Sequence, residues 1–316
     1  MRFAVNKDIK SFRQYLQFFN RTEWIDDEYW ILGASIESVN DELLAYGVLY
    51  FNNGHRVNNL SASCLGNFYT SDSEAAPMLL KKVFEIAIHI APVIIGPMNG
   101  STWASYRFMT PAHAEPFYLE PTNPPEYNQH FKATGFTELS QYGSSVINSA
   151  DGFTSSPHIG NLDYIFKNFD TDTFDNEIRK IHLISNTAFK NNFLFTEINY
   201  NKFYNLYVPL KGKINAELFI IAYKDEIPVG FVFGYPDFLC PEKNRVVLKT
   251  LGRLPGKEYS GLGTMLLGKF TKMANEKGFA SIIHALMPMD KVSIRMSEMF
   301  GGKISNTYAL YSKLLK

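Results

Sequence analysis

The chain has 316 residues, more than one hydrophobic core usually holds, so we expect two domains. Hydrophobic residues make up 46% of it and aromatic residues 15%, which excludes a disordered chain and predicts a well-packed interior. Lys plus Arg and Asp plus Glu each number 31 and no dense basic run occurs, so the charge argues against nucleic acid as a partner.

The N-terminal region predicts a helix and then a hairpin. Apolar residues recur at helical spacing from Ser11 to Phe19. The stretch from Leu43 to Asn53 is typical of a strand that ends in an Asn-Asn-Gly turn, and the stretch from Asn58 to Tyr69 is typical of its partner. We therefore expect the two strands to pair across a turn near Gly54.

The remainder of the first half predicts a second helix and two further strands. Pro77 suits the first turn of a helix that carries apolar residues at helical spacing as far as Ile90. The segment from Thr110 to Tyr127 contains five prolines and is expected to be a shaped loop. The other predicted elements are a buried strand in VIIGPMN, a short helix at 127–134, a strand at 135–147 and a link at 150–157.

The second half predicts a longer run of alternating elements. Helical stretches come first, between Leu162 and Lys190, followed by two strands that meet at a polar turn, Lys224 to Glu226. The later elements are a third strand at 244–256, an amphipathic helix at 263–278, a strand at 280–287, a short helix at 293–301 and a last strand at 305–315.

The two halves repeat the same order of short motifs. LGNFY and LGRLP, which begin at Leu65 and Leu251, each precede a helix that carries MLL, at Met78 and Met265. Each helix then leads to an apolar strand that ends in Pro-Met-Asn or Pro-Met-Asp. A period of about half the chain predicts a duplicated domain, with halves at 1–150 and 151–316. Chance similarity among short motifs is the alternative.

The stretch KEYSGLGTMLL places two glycines, Gly261 and Gly263, where a strand gives way to a helix. The first N–H groups of a helix are free, and its dipole adds partial positive charge there, so a phosphate fits such a turn. An ordinary turn is the alternative, since neither a P-loop nor a dinucleotide fingerprint is present. Valine at either glycine is expected to fill the phosphate cradle and leave the fold intact.

In this context the second half resembles the GCN5-related N-acetyltransferases, in which an Arg/Gln-x-x-Gly-x-Gly/Ala loop binds the pyrophosphate of acetyl-coenzyme A through backbone amides. The resemblance covers Ala216 to Leu315, and the first half resembles a degenerate copy of the same unit. It implies an α/β fold with a mixed sheet, two tandem domains, and acetyl-coenzyme A or another acyl-coenzyme A as co-substrate. The residues it places against the co-substrate are Leu251, Arg253, Leu254, Tyr259, Ser260, Gly261, Leu262, Gly263, Thr264 and Ser293.

The chain departs from the family pattern in two places. Glu258 stands where the family has Arg or Gln, and a carboxylate near a pyrophosphate is unfavourable unless it points away. Asp290 or Lys291 takes the place of the family's Asn, and Ser297 or Glu298 the place of its proton-donating tyrosine. Ser297 and Tyr308 are therefore only weak catalytic candidates, and packing is the alternative role for Tyr308.

The first-half loop TSDSEAAP lacks the glycines of its counterpart, so no cofactor is expected there. Polar and aromatic segments beside it could bind a polar acceptor, with Arg107 as the natural clamp for an anion. The candidates are Asn99, Trp103, Tyr106, Arg107, Asn123 and Tyr127. The alternative is that these residues satisfy loop backbone and join the domains. His284 lies in a buried strand pattern and is interpreted as a satisfied core histidine.

Two hypotheses for function follow. The first is an N-acyltransferase that moves an acyl group from coenzyme A to an amine of a small molecule or peptide by direct attack, which requires positioning more than a strong catalytic motif. The second is a catalytically inactive protein that binds acyl-coenzyme A or another ligand.

Cysteine usage and the N-terminus bear on the compartment. Cys64 and Cys240 lie far apart, without a CxxC motif or a neighbouring pair of histidines, which argues against a disulfide framework and against a metal site. The N-terminus lacks the apolar core of a signal peptide, and the most apolar run, IAIHIAPVIIG, is short and interrupted. We therefore expect a soluble cytoplasmic protein without a membrane span.

Overall fold

A computed structural model of the protein describes residues 1–111, 114–149, 163–289 and 292–316. The helices in these ranges are α1 (Ile9–Phe18), α2 (Ala75–Ala87), α3 (Glu126–Ala133), α4 (Phe174–Ala188), α5 (Tyr200–Tyr207), α6 (Leu262–Glu276) and α7 (Val292–Met299). The strands are β1 (Arg2–Asn6), β2 (Trp30–Glu37), β3 (Leu43–Val57), β4 (Leu60–Thr70), β5 (Val93–Gly96), β6 (Phe108–Met109), β7 (Thr137–Asn148), β8 (Ile165–Asn168), β9 (Phe219–Lys224), β10 (Ile227–Pro236), β11 (Arg245–Arg253), β12 (Ser281–Pro288) and β13 (Lys303–Leu314).

All of these strands belong to one mixed sheet that runs through both halves of the chain. Its order is β1-β2-β3-β4-β5-β13-β7-β12-β11-β10-β9-β8, and β6 pairs with β13. The last strand of the chain, β13, lies between β5 and β7 of the first half, while β7 lies between β13 and β12 of the second. The halves therefore exchange one strand each, and neither half of the sheet is continuous without the other.

Helices cover both faces of the sheet because its strands are apolar on both sides. One face packs on α1, α4 and α5, and the two clusters there share Leu286. The opposite face packs on α2 and α3 in the first half and on α6 and α7 in the second. The mixed α/β class expected from the sequence is confirmed. No helix in the described ranges is long and apolar enough to cross a membrane.

The structure corrects the expected hairpin in the first half. Its turn is not at Asn-Asn-Gly but at Asn58 and Asn59, which adopt φ angles of 49° and 65° and pair Val57 with Leu60. Two consecutive residues with positive φ form the tight turn that matches strand twist, and Asn tolerates this conformation. Gly54 instead lies within β3, beside an irregularity between Phe51 and Arg56.

Four strands, β1, β2, β6 and β8, were absent from the sequence prediction, and β1 and β8 are the two edges of the sheet. In the second half, β8 precedes α4 in the region where helical stretches were expected, between Leu162 and Lys190. The boundary predicted at 150 and the link at 150–157 lie outside the described residues. The division into halves at that boundary remains a proposal.

The strand exchange predicts that the halves do not fold separately. We expect residues 1–150 and 151–316, expressed alone, to aggregate, because each piece leaves an unpaired strand edge in the middle of its sheet. Co-expression of the two pieces is expected to give a folded complex. Size-exclusion chromatography and circular dichroism would measure both outcomes. A monomeric 1–150 fragment that unfolds cooperatively would contradict the expectation.

Candidate functional site

The strands β11 and β12 run parallel but pair along only part of their length. Arg245–Leu248 pairs with Ser281–His284, and both strands continue beyond these residues without pairing to each other. On its other side β12 shifts register against β7 between His284 and Met287, and Leu286 there has a φ of 60°. The divergence opens a wedge between the two strands, the β11–β12 cleft.

Helix α6 begins beyond the end of β11, at the two glycines. Gly261 is the N-cap residue of α6 and has a φ of 85°. Because glycine has no side chain, it makes no capping hydrogen bond to the first amides of the helix. The amide of Met265 is the first to bond back into the turn, at 3.0 Å from the Gly261 carbonyl oxygen. The amides of the preceding turn therefore retain their capacity to bind an anion.

The corresponding helix start in the first half is already filled. The carboxylate of Asp72 accepts hydrogen bonds from the amides of Glu74 at 2.9 Å and Ala75 at 2.7 Å, at the start of α2. The chain thus supplies its own anion at that helix N-terminus. The first half offers no open position for a phosphate there.

The strand divergence is also closed in the first half. Beyond the paired part of β4 and β5, the Met98 amide donates to the Leu65 carbonyl at 2.9 Å. The Asn67 amide donates to the Asn99 side-chain oxygen at 2.8 Å. No such bonds join β11 to β12 beyond His284 within the described residues. Of the two related clefts, the second-half one is open.

Two charged side chains of the loop before α6 fold back on the loop itself. Arg253 donates to the carbonyl oxygens of Leu254 at 2.7 Å and Gly256 at 3.4 Å. The Glu258 carboxylate lies against Gly256, since a Cβ added there would stand 2.5 Å from its oxygens. Glu258 is exposed, so water solvates its charge.

The remaining cofactor candidates surround this loop. Leu251, Leu254, Tyr259 and Leu262 pack in the core beneath α6, Ser260 is exposed, and the Thr264 hydroxyl contacts the Met296 sulfur at 3.8 Å. The hydroxyl of Ser293, in the first turn of α7, is buried without a hydrogen-bond partner among the described residues. An orphaned hydroxyl and an uncapped helix start fit an extended ligand that ends in a phosphate. Asp290 and Lys291 lie outside the described residues.

One residue of the cleft escaped the sequence analysis. Lys249 lies on β11 just past its last pair with β12, half-buried, and no hydrogen bond joins its amine to another described residue. Burial lowers the pKa of Lys249 to about 8, and the nearby positive charge of Arg107 acts in the same direction. Its signal in the sequence is a lysine within the apolar strand RVVLKTL.

The catalytic candidate Ser297 is part of a buried hydrogen-bond network. Its hydroxyl lies 2.5 Å from the Ser145 hydroxyl and 2.8 Å from His284 Nδ1, and the side chain is 2% exposed. Burial lowers the pKa of His284 to about 4, so the ring is neutral at pH 7. Its Nε2 atom has no partner within the described residues, so only one side of the ring is satisfied.

The other catalytic candidate, Tyr308, is also buried. Its hydroxyl donates to the Glu120 carboxylate and lies 2.9 Å from the Ser144 hydroxyl. Ser144 in turn accepts a hydrogen bond from the Leu286 amide at 3.0 Å. The Ser297 hydroxyl thus links α7 to β7 and β12, the Tyr308 hydroxyl links β13 to β7, and both are buried.

The structure brings five of the six acceptor candidates together in a first-half cavity of about 500 Å³, but not in the β11–β12 cleft. Those five are Asn99, Tyr106, Arg107, Asn123 and Tyr127. Asn123 hydrogen-bonds to the Met109 backbone and Tyr127 hydrogen-bonds to the Thr70 backbone. These two residues therefore satisfy backbone groups, which was the alternative to a role in acceptor binding. Trp103 is elsewhere: it donates to the Thr196 carbonyl at 2.8 Å and joins the halves.

The two glycines of the loop are expected to respond differently to alanine. Gly261→Ala should lower the free energy of unfolding by about 1 kcal/mol, because a Cβ is disfavoured at a φ of 85°. At Gly263 a Cβ would lie 3.7 Å from Leu251 and Met296 side-chain atoms, an ordinary contact, so Gly263→Ala should cost nothing. Urea unfolding measures both, and equal losses would contradict the assignment. The expectation that both glycines can be replaced with the fold intact is therefore revised for Gly261.

The lowered pKa of Lys249 predicts that replacing this residue changes the free energy of unfolding by an amount that depends on pH. Its pKa falls from 10.5 in the unfolded chain to about 8 in the fold, so folding favours the neutral amine and the charged form is penalised. Lys249→Met should raise the free energy of unfolding by about 2–3 kcal/mol at pH 7, and the gain should shrink to below about 1 kcal/mol at pH 10. Denaturant titrations at both pH values measure it. A gain independent of pH would show that the lysine is not penalised.

The comparisons with known proteins concern the fold. No family model and no curated protein sequence matches the chain. Solved structures do match at 10% identity: a GCN5-related N-acetyltransferase from Sphaerobacter thermophilus has a TM-score of 0.56 and covers 99% of this chain and 96% of its own. A tandem GNAT protein from the clavulanic acid biosynthesis pathway has a TM-score of 0.57, and the match covers 100% of this chain and 98% of that protein. Eis1 from Mycobacterium abscessus has a TM-score of 0.55, and the match covers 100% of this chain and 74% of that protein. The chain therefore has the fold of the tandem GCN5-related N-acetyltransferases.

Proposed function

We propose that the protein is an N-acyltransferase that moves an acyl group from acyl-coenzyme A to an amine of a small molecule or peptide. The observation that carries the proposal is the contrast between the two helix starts. The α6 start is uncapped at the end of an open cleft, while Asp72 fills the α2 start of an otherwise similar half. Fold likeness to acetyltransferases supports the reaction class.

In this proposal the second half holds the co-substrate. The amides at Gly261–Thr264 bind the pyrophosphate, and the free edges of β11 and β12 beyond Leu248 and His284 receive the extended arm. The hydroxyl of Ser293 gains the partner that it otherwise lacks. When bound, the thioester supplies an activated acyl group with a thiolate leaving group.

Lys249 is the base that we assign to the reaction. An acceptor amine is an ammonium ion at neutral pH and attacks only after it loses a proton. An amine with a pKa of about 8 is partly neutral at that pH and can take the proton, and Lys249 lies where the cleft opens. Attack then forms the amide bond and breaks the thioester carbon–sulfur bond, and the second proton that the nitrogen loses passes through solvent to the released thiolate. Since Ser297 and Tyr308 are occupied in buried bonds, we assign the thiolate no protonating side chain.

That last point favours a second candidate function, a protein that binds acyl-coenzyme A without turnover. The hydroxyls of the two catalytic candidates, Ser297 and Tyr308, are buried, and Glu258 adds negative charge to the loop before α6. The uncapped helix and the cleft support binding equally in both candidates. Catalysis distinguishes them.

Calorimetry with acetyl-coenzyme A and longer acyl-coenzymes A tests the shared part of the proposal. We expect binding to the native protein, and a loss of at least about tenfold in Gly263→Val, whose branched side chain would project beside Leu251 and Met296 at the helix start. Ser73→Val at the first-half loop is the matched control and should bind normally. No binding by any acyl-coenzyme A would overturn both candidate functions.

Thiol release with a panel of amines tests catalysis. We expect turnover that rises with pH toward about 8, as the Lys249 amine loses its proton, and Lys249→Met should lose this dependence along with at least about tenfold in kcat/KM. Unchanged turnover in Lys249→Met would remove the base assignment. Binding without thiol release from any amine would favour the inactive binder.

A further inference from the structure

The first-half cavity contains two charged side chains that have no ion-pair partner. Its volume of about 500 Å³ is within the range of small-ligand sites. Arg107 and Glu120 both line it, at 8% and 7% exposure, and neither forms a salt bridge with any residue in the described ranges. Buried charges are costly unless paired, so their position in one cavity points to a ligand that pairs them.

Arg107 is fixed in place by several contacts. Its guanidinium lies between the rings of Tyr106 and Tyr142, 3.8 and 4.0 Å from their centroids. Its Nε donates to the Tyr106 carbonyl and its Nη1 to the Leu286 carbonyl, at 3.2 and 3.1 Å. The backbone holds a φ of 77°, a strained value for a non-glycine residue. The second terminal nitrogen, Nη2, makes no hydrogen bond to a described residue and can bind an anion.

Glu120, the second charged residue of the cavity, is also held in place by hydrogen bonds. Its Oε1 accepts hydrogen bonds from Asn306 at 3.0 Å and from Tyr308, and its Oε2 accepts from the Phe117 amide at 3.1 Å. These donors are all neutral, so they orient the carboxylate without neutralising it. Burial raises the pKa of Glu120, and the charge of Arg245, which is already paired with Asp237, acts in the other direction. A bound cation would supply the missing charge.

We propose that this cavity binds a small zwitterion of the amino-acid class, with its carboxylate at Arg107 and its ammonium at Glu120. Asn99 also lines the cavity, and its side-chain nitrogen makes no hydrogen bond to a described residue, so it can donate to the ligand. A ligand with a single charge would satisfy one of the two buried groups and leave the other unpaired.

The cavity and the β11–β12 cleft have different linings but adjoin at Arg107. None of the lining residues of the cavity belongs to the second half of the chain. Arg107 Nη1 nevertheless donates to the Leu286 carbonyl on β12, one wall of the cleft, and the charge of Arg107 contributes to the lowered pKa of Lys249. The groups that pair with the zwitterion all line the cavity, so its binding there requires no acyl-coenzyme A.

Calorimetry of the full chain, without acyl-coenzyme A, tests the proposal with the standard L-amino acids and glycyl dipeptides. We expect at least one to bind with one site per chain. For that binder, the primary amide, which lacks the carboxylate, and the N-acetyl derivative, which lacks the ammonium, should each bind at least about tenfold more weakly. No binding at millimolar concentrations, or equal binding of either derivative, would overturn the proposal.

Two variants assign the charges to the side chains. Arg107→Gln should remove the preference for the carboxylate over the amide, and Glu120→Gln the preference for the ammonium over the N-acetyl group. The matched control is Glu115→Gln, an exposed carboxylate that pairs with Lys243 outside the cavity, and it should bind normally. Circular dichroism checks folding, and the derivatives on the native protein decide the question if a variant fails to fold. These outcomes do not depend on acyl transfer, so the two proposals can fail separately.

Discussion

The exchange of β7 and β13 is the constraint on which the rest of the structure depends. Each strand pairs across the middle of the sheet with strands from the other half, so both cores close only when the whole chain has folded. The β11–β12 cleft shows the consequence, because one of its walls, β12, is held in register by β7 of the first half. The first half, whose own helix start is closed by Asp72, therefore still supplies the strand that holds one wall of this cleft.

The two halves have the same architecture, and small local differences decide what each can bind. Asp72 at the start of α2 contributes about 1 kcal/mol of capping, which stabilises the fold and closes the anion position. Gly261 at the start of α6 forgoes that cap and leaves the amides available. Two hydrogen bonds at Met98 and Asn67 likewise close one strand divergence, while the other stays open. The same fold thus has a capped helix start in one half and an uncapped one in the other.

Buried polar groups concentrate where the halves meet. Ser144 links the Leu286 amide to Tyr308 and so to Glu120, while Arg107 reaches the Leu286 carbonyl from the same cavity. Hydroxyls that would serve as proton donors in an open cleft instead satisfy neighbouring polar groups. Arg107, Glu120 and Lys249 form no ion pair with any described residue, and partly or fully buried charged groups of this kind are candidates for ligand binding.

The sequence by itself determined the element types and the glycine loop, because apolar periodicity and glycine conformation are local properties. It also indicated the duplication, although the strands β1, β2, β6 and β8 and the turn at Asn58 escaped it. Only the tertiary structure decided the strand exchange, since hydrophobic pattern does not specify which strand a buried strand pairs with. It likewise decided that Ser297 and Tyr308 are buried, that Asp72 closes α2, and that Arg107 and Glu120 share a cavity. These facts depend on contacts between residues far apart in the chain, which no local pattern encodes.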